Sequence, residues 1–200
     1  MGRIVVMNHV TLDGVMQGPG RADEDTRDGF AQGGWGHRSV TPDDAVGKAM
    51  GERMAAGGGL AGWVFGRRTY EDLLASWNAQ GGPFKDALNN SPKYVASTTL
   101  KEPLPWPNST LLRGDTVDAL RALKAQSGGV LAIMGSGVLI GSLMAANLID
   151  EYLLMIHPVV LGTGRRLFPG GVHVSLRLTD SVTTATGVLI ATYEPARDST

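Results

Sequence analysis

The sequence predicts an α/β fold in which an apolar strand is repeatedly followed by a glycine turn and a helix. Residues 130–161 show the pattern most fully, with an apolar run, a glycine turn at 135–137, a helical stretch and a second apolar run. Apolar runs of strand length that alternate with helical stretches indicate β-α-β units. Residues 4–10 are almost continuously hydrophobic, which predicts a central strand that is covered on both faces.

Composition and charge narrow the class of protein. The chain has 200 residues, of which 42% are hydrophobic and 18% charged, as expected for one globular domain. We expect this domain to span residues 1–195, with a tail at 196–200. Because 18 Lys and Arg oppose 19 Asp and Glu, no basic face is expected for nucleic acid or an anionic membrane.

The cysteine and histidine content limits the chemistry. The chain has no cysteine, which excludes disulfides, thiolate catalysis and cysteine-based metal centres. The histidines have no metal-binding spacing, so no metal site is expected. The start of the chain is too short an apolar stretch for a signal peptide, and no run has the length of a membrane-spanning helix. We therefore expect a cytoplasmic protein. The low charge and the apolar residues 152–160 predict a homodimer.

A long segment without clear periodicity follows the first strand, over residues 11–41. Loops of this length in compact domains are usually lids or binding segments, and we predict a mobile active-site loop. Asp13-Gly14 at its start is also common turn chemistry. A helix is predicted from residue 41 to about residue 56. The carboxylates of Asp43 and Asp44 in its first turn fit a role toward the helix dipole, although either could serve as a substrate carboxylate.

The next strand, at 62–66, leads into a helix over 67–77 that begins with two arginines and a threonine. Guanidinium and hydroxyl groups beside free N–H groups are suited to bind a phosphate, although Arg67 could also be a solvated surface charge. The motif lacks the spacing of a Walker A loop. Further on we predict strands at 93–97 and 110–113, an extended connection at 100–109, a helix at 115–126, and antiparallel strands at 172–182 and 186–193.

The glycine turn at 135–137 allows two interpretations. A glycine turn before a helix lets the backbone approach a ligand, and the helix N-terminus favours a phosphate. Alternatively, the glycines only allow the helix to pack closely against the sheet.

Five motifs in this order carry a family resemblance: TLDG at 11–14, GRRTY at 66–70, GSG at 135–137, LIDE at 148–151 and HPVVLGTG at 157–164. Together they resemble the dihydrofolate reductase-like superfamily, and are most similar to its riboflavin-biosynthesis reductase branch, the RibD C-terminal domain. The resemblance implies a three-layer fold with a mixed, mostly parallel eight-stranded sheet flanked by helices. It also implies NADPH as cofactor and hydride transfer to a pyrimidine- or pteridine-type ring.

The resemblance also implies a set of cofactor contacts. The phosphates would be bound by Arg67 and Thr69 and by the backbone of the glycine turn, and Arg68 would lie near the adenine end. The 2'-phosphate would be bound after the following strand, and the nicotinamide ribose after the first strand. The implied cofactor residues are Gly14, Met16, Gly66, Arg67, Arg68, Thr69, Ser97, Thr98, Gly135, Ser136, Gly137, Val138 and Leu139.

The substrate side departs from the family pattern. Asp13 is our predicted catalytic carboxylate beside the nicotinamide, and Trp35, Asp43 and Arg165 are predicted to bind the substrate. Arg165 and Arg166 are available for a substrate phosphate, but either could be a surface charge. The cysteines that a fused deaminase would need are missing, so we expect a stand-alone reductase domain. A true dihydrofolate reductase and an NADPH-binding protein without catalysis remain alternatives. His9 and His157 are interpreted as core histidines.

Overall fold

The structure is a computed structural model that describes residues 1–36 and 45–196. Within these residues it contains eight strands and five α-helices. The strands are β1 (Arg3–Thr11), β2 (Leu60–Gly66), β3 (Lys93–Ala96), β4 (Ser109–Leu112), β5 (Val130–Ile133), β6 (Glu151–His157), β7 (Leu176–Thr183) and β8 (Leu189–Pro195). The helices are α1 (Ala45–Ala56), α2 (Arg67–Gln80), α3 (Pro83–Asn90), α4 (Thr116–Gln126) and α5 (Gly137–Ala145).

The strands form one sheet in the order β4-β3-β2-β5-β1-β6-β8-β7. β2 pairs in parallel with β3 and with β5, and β3 pairs in parallel with β4. The last three strands pair antiparallel, β8 with both β6 and β7. The predicted α/β class, with a mixed, mostly parallel eight-stranded sheet and two antiparallel strands at the C-terminal end, is confirmed.

The contacts divide the chain into two compact units. The first comprises Met1–Val5 and Arg53–Leu148, and the second comprises Val6–Glu52 and Ile149–Thr200. The predicted single domain over residues 1–195 stays a prediction. The predicted helix start at residues 41–44, which includes Asp43 and Asp44, lies outside the described residues.

The first unit is built around β2 and β5, whose side chains are almost all buried. Trp63, Val64 and Phe65 of β2 are at most 1% exposed, and all four residues of β5 are buried. This explains why both strands read as continuous apolar runs. Tyr70 and Leu74 bury the inner face of α2 one helical turn apart.

Helix α3 in the first unit was not predicted. Gly82 precedes it, Pro83 occupies its first turn, and it spans only eight residues. Its C-terminal end is closed by the buried Lys93, whose ammonium group donates hydrogen bonds to the carbonyl oxygens of Leu88 at 2.5 Å and Ser91 at 2.8 Å. A cation at a helix C-terminus satisfies carbonyl groups that have no partner within the helix.

In the second unit, β6 lies between β1 and β8 in the sheet. Tyr152, Leu153, Leu154 and Met155 are all buried, although they point alternately to the two faces. Most of the apolar run used to predict a homodimer is therefore an interior strand, whereas Val160 at its end is 66% exposed. The homodimer itself stays a prediction.

The long segment after β1 has a small core of its own. Val15, Phe30 and Trp35 are buried together, with Val159 and Leu161 packed against them. The Trp35 indole N–H donates to the Gln17 carbonyl oxygen at 2.7 Å. Residues 12–36 thus contain a packed core, and their predicted role as a mobile active-site loop stays a prediction. The core forms because the few apolar residues of this segment have partners far along the chain.

Among the helices of the described residues, none combines the length and the apolar character needed to span a bilayer.

Candidate functional site

Four parallel strands of the first unit end at one edge of the sheet. Their paired residues run through Gly66 of β2, Ala96 of β3 and Leu112 of β4, with β5 on the other side of β2. Open α/β sheets bind ligands beyond the carboxyl ends of such strands. The segments that follow these strands contain most of the residues predicted to bind the cofactor.

The junction between β2 and α2 leaves a helix start open. Gly66 is the N-cap residue and provides no side-chain cap, and the first turn contains no acidic residue. Arg67 follows and pairs with Glu71 one turn later at 3.1 Å. Arg68 is exposed and has no ion pair among the described residues. An uncapped N-terminus beside two guanidinium groups is electrostatically suited to an anion.

The junction between β5 and α5 repeats this arrangement. Gly135 has φ +67°, and Ser136, the N-cap residue, is also left-handed at φ 64°, ψ 57° without a side-chain cap bond. The first N–H groups of a helix have no intrahelical partner, which leaves those of Gly137, Val138 and Leu139 available. Val138 is 78% exposed, whereas the Leu139 side chain is buried, so Leu139 offers only its backbone to a ligand.

The two junctions are joined by hydrogen bonds. The Gly66 N–H donates to Ser136 Oγ at 2.7 Å, and the Ser136 hydroxyl donates to Thr69 Oγ1 at 2.9 Å. The contact requires glycine on both sides. A Cβ on Gly66 would lie 2.9 Å from Ser136 Oγ, and one on Gly135 would lie 3.0 Å from Thr69 Cγ2. The glycines therefore serve close packing here, and the same packing brings two helix starts together.

Helix α4 shows how this chain begins a helix without such a junction. The Asp115 side chain accepts a hydrogen bond from the Asp118 N–H at 3.0 Å, and Asp118 adds a second carboxylate to the first turn. Both features satisfy the helix start internally and would repel an anion. Helices α2 and α5 lack both features, which makes their N-termini the anion-competent ones of the three.

The ends of β3 and β4 add polar groups at the same edge. Ser97 Oγ accepts hydrogen bonds from the N–H groups of Thr99 at 3.1 Å and Leu100 at 3.0 Å, which fixes the turn, while Thr98 is exposed. Arg113 follows β4, is exposed, and pairs with Glu102. Arg113 was not predicted as a site residue because the sequence assigned it to the strand. Its position one residue after an apolar strand was the available signal.

In the second unit, Asp13 ties the start of the long segment to residues 161–162. Its carboxylate accepts hydrogen bonds from the Thr11 hydroxyl at 2.6 Å, the Leu161 N–H at 3.2 Å and the Gly162 N–H at 2.8 Å. The Thr11 bond, followed by those from Gly162 and Leu161, lowers the pKa of Asp13 from 3.8 to about 2. An ionised carboxylate held by three donors favours a positioning role over proton transfer. Its catalytic role stays a prediction.

Gly14 and Met16 follow Asp13 and are held by backbone bonds. The Gly14 carbonyl oxygen accepts from the Leu167 N–H at 3.0 Å, and the Met16 N–H donates to the Arg165 carbonyl oxygen at 2.9 Å. Gly14 has φ +80°, and no heavy atom lies within 4 Å of where its Cβ would be, so the turn conformation alone favours glycine. Their predicted cofactor contacts stay predictions.

The residues predicted to bind substrate are not gathered as open groups. Trp35 is only 2% exposed, so in this structure its ring fills the small core and presents no face to a substrate. The Arg165 guanidinium pairs with Asp28 at 2.7 Å, although the side chain stays 44% exposed. Arg166 lies 3.9 Å from Asp13. Asp43 is outside the described residues.

Two histidines that were interpreted as core residues pair with each other in the second unit. His9 Nδ1 and His157 Nε2 are 2.8 Å apart. His157 is fully buried, and the edge of the Trp35 ring contacts it with ring centroids 5.2 Å apart. Burial lowers the pKa of His157 from 6.5 to about 4, so this imidazole is neutral at physiological pH.

Solved structures with the same fold come from several bacteria. A protein from Shewanella sp. PV-4 that is named for riboflavin biosynthesis has a TM-score of 0.73 at 24% identity, covering 98% of this chain and 99% of that one. A pyrimidine reductase-like protein from Corynebacterium diphtheriae has a TM-score of 0.62 at 9% identity, covering 98% of this chain and 92% of that one. Dihydrofolate reductase from Enterococcus faecalis, complexed with NADP(H) and RAB-propyl, has a TM-score of 0.61 at 14% identity, covering 98% of this chain and 97% of that one. These likenesses show a dihydrofolate reductase-like fold.

Sequence comparison gives the family. The uncharacterized protein YyaP of Bacillus subtilis (strain 168) is 31% identical over 108 residues, which are 53% of this chain and 56% of YyaP. The chain thus matches little more than half the length of this curated relative. The profile of the RibD C-terminal domain family matches residues 3–190, nearly the whole chain. The chain therefore belongs to the RibD C-terminal domain family.

Proposed function

We propose that this protein is a reductase that uses NADPH to reduce a pyrimidine- or pteridine-type substrate. The reaction would be of the kind carried out by 5-amino-6-(5-phosphoribosylamino)uracil reductase in riboflavin biosynthesis. The observation that carries the proposal is the pair of uncapped helix starts, joined through Ser136, at the carboxyl edge of the parallel strands. Membership of the RibD C-terminal domain family supports the reductase class.

The residues present fit a dinucleotide phosphate. Gly66 and Gly135 allow the two helix starts to pack side by side, and neither α2 nor α5 has an acidic residue in its first turn. In the proposal, Arg67, Thr69 and the first N–H groups of α5 hold the pyrophosphate, with Gly137 at the start of that helix. Ser97, Thr98 and Arg68 hold the adenosine end and its 2'-phosphate. NADPH supplies the hydride when it is bound.

Arg113 joins this set as a candidate that the sequence did not suggest. It follows β4 at the same edge as Ser97 and Thr98, and its side chain is 78% exposed. A guanidinium group can form paired hydrogen bonds with a phosphate, which suits it to the 2'-phosphate. The Arg113 guanidinium would then contact the phosphate and its present ion-pair partner, Glu102, at the same time.

On the substrate side, the proposed role of Asp13 is to hold the segment after β1 against residues 161–162. Asp13→Ala is expected to lower kcat while the affinity for NADPH is retained. Unchanged kcat would remove Asp13 from the proposed active site. Arg165 is the proposed contact for a substrate phosphate, and it would exchange Asp28 for that phosphate. We also propose a homodimer, which light scattering at micromolar concentration tests.

The direct test measures binding and turnover separately. Tryptophan fluorescence during titration with NADPH reports binding, and the loss of NADPH absorbance with the aminopyrimidine ribose phosphate reports turnover. Binding with turnover of this substrate supports the proposal. No binding at millimolar NADPH would overturn it.

The same assays separate the alternatives. Turnover of dihydrofolate that is lost in Asp43→Ala or Asp44→Ala would indicate a dihydrofolate reductase instead. Tight NADPH binding without turnover across pyrimidine, pterin and quinone-like acceptors would indicate a binding protein.

A further inference from the structure

The Ser136 hydroxyl does not serve its own helix. A serine at an N-cap normally accepts a hydrogen bond from an N–H in the first turn of the helix. Here Ser136 makes no such bond, and its oxygen accepts from the Gly66 N–H of the neighbouring junction at 2.7 Å. Its backbone adopts the left-handed conformation at φ 64°, which a residue with a Cβ adopts only at a cost in free energy.

The second hydrogen bond of Ser136 runs from its hydroxyl to Thr69. A hydroxyl has one proton to donate, and Ser136 donates it to Thr69 Oγ1 at 2.9 Å. Thr69 Oγ1 thus accepts from Ser136 and keeps its own proton for a further acceptor. Within residues 1–36 and 45–196, Thr69 Oγ1 accepts this bond and donates none.

The Thr69 side chain is also fixed in place by packing. A Cβ on Gly135 would lie 3.0 Å from Thr69 Cγ2 and 3.1 Å from Thr69 Oγ1, so the side chain packs directly against this glycine. Thr69 lies in the first turn of α2, whose N-terminus has no side-chain cap. The Thr69 hydroxyl therefore lies in the same first turn as the backbone N–H groups that have no side-chain cap.

We propose that Ser136 is a positioning residue that makes the Thr69 hydroxyl a committed donor to an anionic oxygen bound at the start of α2. The inference rests on the proposed NADPH-dependent function, in which that oxygen belongs to the cofactor pyrophosphate. The chain of donors runs from the Gly66 N–H through Ser136 to Thr69 and ends on the ligand. Hydrogen bonds in such a chain strengthen one another.

The experiment is a double-mutant cycle on binding, with Thr69→Val, Ser136→Ala and both together. NADPH and inorganic pyrophosphate serve as separate probes, and calorimetry gives the dissociation constants. Thr69→Val replaces the hydroxyl with a methyl group of similar shape, and we expect a loss of about ten-fold or more, as for a hydrogen bond to a charged group. We expect Ser136→Ala to lose less binding affinity than Thr69→Val.

The decisive result is the double variant. Because Ser136 acts through Thr69, the double variant is expected to bind as weakly as Thr69→Val alone. A Ser136→Ala loss that persists in full in the Thr69→Val background would overturn the proposal, since a merely structural role predicts independent losses. Thr69→Ser keeps the hydroxyl and is expected to restore most of the affinity. Ser136→Gly relieves the left-handed backbone and should still lose affinity, because it lacks the hydroxyl.

The two probes separate this inference from the proposed function. If pyrophosphate shows the expected coupling and NADPH does not bind, the cofactor is wrong and the role of Ser136 stands. If NADPH binds and the losses are independent, the proposed function stands and the role of Ser136 falls. If neither probe binds the wild-type protein, both are overturned.

Discussion

His157 shares a hydrogen bond with His9, with 2.8 Å between His9 Nδ1 and His157 Nε2. The other ring nitrogen of His157 is buried and has no hydrogen-bond partner among the described residues. A positive charge on His157 would be buried there, which agrees with the lowered pKa of this imidazole, about 4. His157 is therefore a neutral core residue, and protonating it in acid destabilises the folded state.

The lowered pKa of His157 predicts the direction in which the stability of the protein changes with pH. The unfolded chain protonates His157 near 6.5, but the folded chain does so only near 4. Between these values the unfolded state binds the extra proton, so the free energy of unfolding falls as the pH falls. The loss from this group is on the order of 3 kcal/mol by pH 4 and is absent above pH 6.5. Urea denaturation over this pH range measures it.

The control is the exposed His173 of the same chain. We expect His157→Gln to reduce the slope of stability against pH, whereas His173→Gln leaves it as in the wild type. Equal slopes in all three proteins would show that His157 is protonated normally in the folded state.

Asp13→Asn is expected to destabilise the protein at neutral pH by about 1–3 kcal/mol, because it replaces a carboxylate that accepts three hydrogen bonds. The pKa of Asp13 is lowered to about 2, so its contribution is present above pH 3.8 and is lost as the pH falls toward 2. Denaturation midpoints of the two proteins should therefore converge in acid. Asp23→Asn, at an aspartate whose side chain is 84% exposed, is the matched control and should change little.

Alanine substitutions at two glycines close in sequence are expected to change the stability of the protein in opposite directions. Gly135→Ala places a Cβ 3.0 Å from Thr69 at φ +67°, and should cost about 1–2 kcal/mol or more. Gly141 lies inside α5 with no heavy atom within 4 Å of its Cβ position, so Gly141→Ala should stabilise the protein by about 0.5–1 kcal/mol. Thermal unfolding measures both changes. Stabilisation by Gly135→Ala as well would show that the backbone at Gly135 is not constrained as described.

Lys93→Met is expected to destabilise the first unit. The substitution keeps the length of the side chain but leaves the carbonyl oxygens of Leu88 and Ser91 without the ammonium donor. Each buried group left without a partner costs about 1–3 kcal/mol. Lys85→Met is the control, since Lys85 pairs only with Asp86 at the surface of α3. Chemical denaturation should show a large loss for the first variant and almost none for the second.

Arg68→Gln tests the adenosine end of the proposed cofactor site. Arg68 is exposed at the start of α2 without an ion pair in the described part of the chain. If it faces the 2'-phosphate, NADPH should bind about ten-fold more weakly while the affinity for NADH changes little. Arg121→Gln, at an exposed arginine of α4 that pairs with Asp118, should alter neither. Equal losses for the two cofactors would remove Arg68 from the 2'-phosphate subsite.

The strands and most helices could be predicted because their signals are local. The apolar runs of β1, β2, β5 and β6 are four of the eight strands of the sheet, and the glycine turns mark where α2 and α5 begin. Helix α3 was missed because it is short and its closing contact comes from Lys93, a strand residue. The uncapped helix starts were predicted from the glycines, but the bond between Ser136 and Thr69 was not, since 67 residues separate them.

Several contacts in the second unit could not be predicted from the sequence. Trp35 looked like a free aromatic group in a polar loop, yet its partners include His157 far along the chain. Arg165 looked like a free anion-binding group, but it pairs with Asp28, 137 residues away. Such pairs depend on how distant segments meet, and no local periodicity encodes that. Asp13 was predicted as the catalytic carboxylate, which stays a prediction, and its three hydrogen-bond donors could only be found in the structure.

The contrast between α4 and the two open helices has a thermodynamic consequence. Asp115 caps the start of α4 from within the chain, whereas α2 and α5 have no side-chain cap. A bound phosphate would act as a removable cap that finishes two helices at once. Folding and ligand occupancy are then linked, and a ligand at about 100 times its Kd adds about 2.7 kcal/mol to the free energy of unfolding. The protein without that ligand would therefore unfold at a lower temperature than the protein with it.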